Sequence, residues 1–162
     1  MRCILLALPL LALVSTAHAQ VPAAIAAPGE TIVATWHAEG AQVYECKAGP
    51  DGKLAWAFRE PIATLLLDGK TIGRHYAGPN WEHMDGSAVV GKVAANAPGA
   101  TPKDIPLLKL DVVSSRGSGA LSGVTTVQRI NTAGGKLEGE CDKVGTYRNA
   151  PYSADYVFLR KG

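Results

Sequence analysis

The 162 residues carry 16 Lys and Arg against 14 Asp and Glu, a net charge of +2. With the basic residues scattered along the chain, that balance excludes nucleic acid and a polybasic membrane patch, since both need a concentrated cationic field. The length suits one domain with a sizeable core.

In chain order, residues 1–19 read as a signal peptide. Arg2 supplies the positive start, Ile4 to Val14 is an apolar run too short to span a bilayer, and Ala17-His18-Ala19 is a small-x-small cleavage site. Cleavage near Ala19 predicts a periplasmic or extracellular product. No later apolar run is long enough for stable membrane insertion. Residues 20–30, with Pro22 and Pro28 among alanines, read as a flexible leader, and 31–162 as a single β domain.

Thr31 to His37 is the first strand candidate, ending in a turn at Glu39-Gly40, with Gln42 to Cys46 following. Gly49-Pro50-Asp51-Gly52 is a turn. Leu54, Trp56 and Phe58 alternate with Ala55, Ala57 and Arg59, which places Trp56 in a core face. Pro61 should break that run, and Ala63 to Leu67 resumes it up to the Asp68-Gly69 turn. Thr71 to Tyr76 is extended, and Ala88 to Val93 follows Asp85-Gly86. Leu108, Leu110 and Val112 share a face, Val124 to Ile130 is β-branched, and Tyr152, Ala154, Tyr156 and Phe158 line one side of a last strand. About eight to ten short strands punctuated by Gly, Pro and Asp, with little or no helix, predict an all-β antiparallel sandwich or small barrel.

Cys3 leaves with the leader, and the remaining pair, Cys46 and Cys141, reads as a disulfide in an oxidising compartment. It would close a loop of about a hundred residues, which the chain-entropy account values at roughly 4–5 kcal/mol.

The order of features also carries a resemblance. Val43-Tyr44-Glu45-Cys46 comes first, then Gly73-x-His75-Tyr76-Ala77-Gly78-Pro79-x-Trp81-Glu82 and Asp85-Gly86-Ser87. Val127-Gln128-Arg129-Ile130-Asn131-Thr132-x-Gly134-Gly135, Cys141 and Tyr152-x-Ala154-Asp155-Tyr156-x-Phe158 follow. Together these resemble the exported domain-of-unknown-function family 3455, across nearly all of the chain after the leader. The resemblance implies one secreted domain and no established activity. Some fungal relatives carry a malate dehydrogenase label, but this chain has no Gly-x-Gly-x-x-Gly opening a βαβ unit to support nicotinamide chemistry. Where relatives have an aromatic residue near the Pro-Leu-Leu strand, Pro106-Leu107-Leu108-Lys109 stands here.

The stretch Gly73 to Gly91 concentrates the chemistry. His75, Trp81, Glu82 and His83 are the candidate ligand-binding residues, because turning and packing do not account for them. Imidazole is a common metal ligand and proton carrier, so His75 and His83 with Asp85 form a weaker metal alternative. The plainer expectation has His75 bonding loop backbone, His83 solvated and Asp85 capping its own turn. Ser87 and the loop serines lack a Gly-x-Ser-x-Gly frame. Trp81, beside Pro79, is expected to cover the corner or sit partly exposed, and Arg129 with Asp155 to pair between late strands.

The sequence therefore predicts an exported, disulfide-closed β domain that acts as a ligand-binding or structural module, with no cofactor and no metal. Its partner would be a small molecule or an envelope or surface component. The alternative is a small hydrolase or metal-dependent enzyme using His75, His83 and a nearby carboxylate. Convergence of the polar atoms of His75, Glu82, His83 and Asp85 in one pocket would favour the enzyme. Divergence favours the module.

Overall fold

A computed structural model describes residues 21–162. The expected signal peptide lies outside the described residues. Eight strands follow one another: β1 (Thr31–Ala48), β2 (Leu54–Leu67), β3 (Lys70–Tyr76), β4 (Asn80–His83), β5 (Ala88–Ala97), β6 (Leu107–Arg116), β7 (Thr126–Gly134) and β8 (Tyr147–Arg160). Each pairs antiparallel with the next, and β1 also pairs with β8, so the sheet is a closed barrel. The choice left open between sandwich and barrel is settled by β1. Its residues match β8 from Thr31↔Arg160 to Glu45↔Tyr147 while matching β2 from His37↔Leu66 to Ala48↔Leu54. Closure removes the exposed edges that an open sheet must otherwise protect.

Two expected breaks are absent. Glu39-Gly40 is no turn, for β1 passes straight through it. A Cβ at Gly40 would overlap the Ile62 carbonyl oxygen and Ala63 Cα of β2, so glycine stands there to let two strands approach, not to turn the chain. Pro61 does not end a strand either. It sits opposite Gln42 inside β2, and pairing to β3 begins only at Ala63, so Pro61 holds an edge position where a missing N–H is tolerated.

Inward-facing residues divide the interior in two. Towards the end carrying the turns at 68–69 and 84–87 and the 117–125 loop, Trp36, Leu65, Val89 and Phe158 pack with Leu121 and Val124. Trp36 and Phe158 have ring centroids 4.6 Å apart. Phe158 is fully buried, and truncating such a ring to alanine costs about 3–5 kcal/mol. The other end is the mouth, ringed by the turns at 49–53 and 77–79 and the loops at 98–106 and 135–146. There the Cys46–Cys141 disulfide, with Cα atoms 5.9 Å apart, ties the last loop to β1. Tyr44 reinforces it by donating to the Gly135 carbonyl at 2.9 Å.

Two further expectations are corrected. Residues 21–30 are seated on the barrel, in contrast to a flexible leader: a 3-10 turn spans Ala23–Ile25, Ile25 is buried, and Gln128 Nε2 donates to its carbonyl at 2.6 Å. Trp56 is not core. The Leu54–Phe58 end of β2 extends past the packed interior, so Trp56 is half-buried under the Arg148 guanidinium, which lies 5.2 Å from its ring centroid, within the reach of about 6 Å for a cation–π contact. Phe58 is 54% exposed.

The strand-through-glycine reading of β1 is testable. Gly40→Ala should lower stability by about 1–3 kcal/mol, the usual effect of overpacking, in urea unfolding followed by circular dichroism. Unchanged stability would mean that β1 and β2 separate there at no cost.

Candidate ligand-binding site

Alternation along the hairpin of β3 and β4 disperses the four candidate residues. His75 faces Trp81 across the ladder and Arg74 faces Glu82, so His75, Trp81 and His83 point inward and Glu82 outward. Trp81 is 1% exposed, which removes the partly exposed alternative expected for it. It fits because Gly91 on β5 has no side chain: a Cβ there would meet the indole at 3.0 Å and Leu110 at 3.2 Å. The His75 ring stacks on Trp81 at 4.6 Å and 12°, and both lie against Tyr156.

His75 Nδ1 donates to the Asn80 carbonyl at 2.8 Å. A carbonyl can only accept, so this bond sets the tautomer and leaves Nε2 as an acceptor. Burial drives its pKa down to about 3, against the opposing pull of the Asn80 bond and with help from the Arg129 charge. The ring is neutral at any ordinary pH. His75 therefore has the backbone-fixing bond that the plainer expectation gave it.

Glu82 is elsewhere. Its Oε2 accepts from Tyr76 hydroxyl at 2.9 Å and from Arg74 and Arg116 at 3.0 Å each, on the outside of the barrel. The Tyr76 hydroxyl, then Arg74, hold its pKa below the ordinary value.

His83 is one inward position further from the mouth than Trp81, stacked on Trp36 at 5.3 Å and paired through Nδ1 with Asp85 Oδ2 at 2.9 Å. It is thus neither solvated nor beside His75. Asp85 also accepts from Ser87 N–H at 2.8 Å, Ser87 hydroxyl at 2.6 Å and Ala120 N–H at 2.8 Å, while Ser87 Oγ accepts from Leu121 N–H at 3.2 Å. Histidine, aspartate and serine are joined here, but the aspartate stands in the middle. Nucleophile activation needs the histidine between the other two, and Ser87 is 1% exposed. The cluster holds the 117–122 loop over the closed end of the barrel. Among the described residues no group of three His, Cys, Asp or Glu side chains is placed to hold a metal.

What two of the three inward candidates do share is a cavity. A space of about 440 Å³ opens at the mouth, lined from all eight strands and including His75 and Trp81 but neither Glu82 nor His83. Pro61, Pro79, Ile105, Leu108 and Leu110 make an apolar wall, and Phe58 and Val93, 54% and 50% exposed, form its lip. Asp104 positions Ile105 and Pro106 by accepting from Gly134 N–H at 2.6 Å and Thr101 N–H at 2.8 Å.

Besides His75, the polar residues of the wall are ones that sequence reasoning missed as site residues: Gln42, Arg59, Arg129 and Tyr156. Arg129 does not pair with Asp155. Ladder alternation puts them on opposite faces, so Arg129 donates to the Pro106 carbonyl from Nε at 3.0 Å and Nη2 at 2.8 Å, while Asp155 takes His37 at 2.7 Å and Asn131 at 2.8 Å. A signal was available, for Arg129 shares parity with Val127, which is fully buried. Tyr156 and Tyr152 hydroxyls meet at 3.3 Å. Burial pushes both phenols above their ordinary pKa, with the Arg129 charge acting the other way.

A family model described as "Protein of unknown function (DUF3455)" matches residues 26–160. The chain belongs to this family. The match covers every strand and both disulfide cysteines, as the residues carrying the resemblance suggested. Neither a curated protein nor a solved structure matches the chain.

The Asp85 cluster predicts a pH signature. The Ser87 hydroxyl, then the Ala120 amide, hold the Asp85 pKa well below its ordinary value of 3.8. A depressed folded-state pKa adds stability that is complete above the unfolded value and lost as pH falls through the folded one. Asp85→Asn should therefore be less stable than wild type at pH 7, and the gap should close progressively below about pH 4 in thermal melts. A gap independent of pH would show that shape, not charge, holds the loop.

Proposed function

We propose that the protein is an exported binding module that holds one small, largely apolar molecule in the mouth of its barrel. The observation that carries this reading is the cavity of about 440 Å³ with an apolar wall and an exposed Phe58 and Val93 lip. An eight-stranded barrel is just wide enough either to fill with side chains or to hold one small ligand. Here the first solution operates around Trp36 and Phe158, and the second is open at the mouth. The size falls in the range of small-molecule sites, and a mainly apolar wall with a few placed polar groups is their usual composition.

Binding is favoured over catalysis by what the polar groups are doing. His75 is neutral with Nδ1 engaged, and among the described residues no carboxylate lines the cavity. General acid–base chemistry needs a group that can exchange a proton near the working pH. Of the four candidates from the sequence, His75 and Trp81 belong to the proposed site. Glu82 and His83 serve the outer wall and the closed end. Export is supported by the Cys46–Cys141 bridge, which persists in oxidising compartments.

Two measurements test this. Titration with the neutral apolar fluorophore N-phenyl-1-naphthylamine should give saturable, one-site fluorescence enhancement on the folded protein. Leu108→Trp, which fills the cavity, should weaken it at least about tenfold, and Val113→Trp on the outer wall should not. Equal binding by wild type and Leu108→Trp, or none by either, would overturn the cavity reading. For export, the intact mass of protein recovered from the culture medium or periplasm should correspond to a chain beginning near Gln20. Recovery only as full-length cytoplasmic chain would refute it.

A further inference from the structure

The wall of the mouth cavity has an electrostatic sign. Two of its side chains are charged, Arg59 and Arg129, and both are cations. Arg59 is accounted for at the rim, where it pairs with Glu60 at 3.2 Å and lies 5.0 Å from the Tyr147 ring centroid. Arg129 differs. It is half-buried, points inward, donates to the Pro106 carbonyl and lies close enough to the Tyr156 hydroxyl to oppose the rise in that phenol's pKa, and among the described residues no carboxylate pairs with it. A guanidinium in a partly desolvated site gains from an anion far more than one in water. Its planar fork suits a carboxylate in particular.

A second observation points the same way. Gln42 is 3% exposed and lines the cavity, and its Nε2 makes no hydrogen bond of normal geometry, although it lies near enough to the Tyr152 hydroxyl to oppose the rise in that phenol's pKa. Trp81 Nε1, also in the wall, makes none either. Buried donors without acceptors are uncommon, and an unmet pair beside one cavity calls for a group that accepts. Donors, a cation and no acid on the inside, with bare apolar surface at the lip, describe the two ends of an amphiphile.

We propose that the ligand is a small amphiphilic carboxylate, bound head-first with its carboxylate against Arg129 and Gln42 and its apolar tail leaving between Phe58 and Val93. This rests on the cavity being the binding site and adds the chemistry and direction of the occupant. The Pro106 carbonyl is compatible with it, since it takes only Nε and Nη2 of Arg129, and the remaining donors of the fork are shared between the anion and the Tyr156 hydroxyl.

The test compares decanoate with decanol, which has the same chain and no charge, by isothermal titration calorimetry on wild type, Arg129→Gln and Gln42→Leu. Decanoate should bind wild type at least about tenfold more tightly than decanol, the ratio expected of a hydrogen bond to a charged group. Arg129→Gln should erase that preference by weakening decanoate while leaving decanol within about twofold. Gln42→Leu should weaken decanoate several-fold and spare decanol, so the question stays answerable if Arg129→Gln disturbs the 98–106 loop. Phe58→Ser should weaken decanoate and leave hexanoate unchanged, because only the longer tail reaches the lip. Equal affinity for acid and alcohol, or a preference that survives both head-group variants, overturns the proposal while leaving the cavity as a site for neutral molecules. Equal loss of hexanoate and decanoate in Phe58→Ser overturns the head-first direction. If neither compound nor the neutral fluorophore binds wild type, the cavity reading falls and this one with it.

Discussion

Everything in this structure depends on the double pairing of β1. One strand of 18 residues bonds to β2 along one edge and to β8 along the other, and that alone converts a meander into a barrel. Continuity at Gly40 is the condition for it. If the chain turned there, two short strands would each carry an unpaired edge, and the inward face that begins with Trp36 would not run on to Gln42. With β1 unbroken, Trp36, Ala38, Gly40 and Gln42 lie in one inward column, from the closed end to the mouth.

That column explains why one interior holds both a core and a cavity. Around Trp36 the opposing strands bring Phe158, Leu65 and Val89, and side chains fill the space. Near Gln42 they bring Arg129, Tyr156 and His75, which cannot pack as hydrocarbon does. These residues satisfy part of their polar surface locally, through the Pro106 and Asn80 carbonyls, and leave room between them. Barrel closure fixes the width, and the change in residue type along the axis decides what occupies it. The disulfide sits at the mouth, where packing is thinnest and a covalent tie between β1 and the last loop contributes most.

Much of the fold was legible because strands announce themselves by parity. Leu108, Leu110 and Val112 face inward as their spacing requires, and so do Tyr152, Ala154, Tyr156 and Phe158. Glycine and proline were harder. Asp68-Gly69 and Asp85-Gly86 are the turns they looked like, with positive φ at both glycines. Gly40 and Pro61 look alike in sequence but serve close approach and an edge position, which depend on the neighbouring strand. The same limit applied to the site. Parity could separate Glu82 from Trp81 and Arg129 from Asp155, but the value of an inward arginine appears only when the strands around it contribute no acid.

The sequence by itself determined the all-β class, the family, the cysteine pairing and the stretch from Gly73 to Gly91 as chemically distinctive. All of these are local in the chain or consequences of composition. Only the tertiary structure decided that the sheet closes, that His75 and His83 serve different parts of the barrel, and that Gln42, Arg129 and Tyr156 join His75 and Trp81 around one cavity. The reason is physical. A side chain's parity is set by its own strand, but its neighbours across a barrel are set by register and closure, which no single strand encodes.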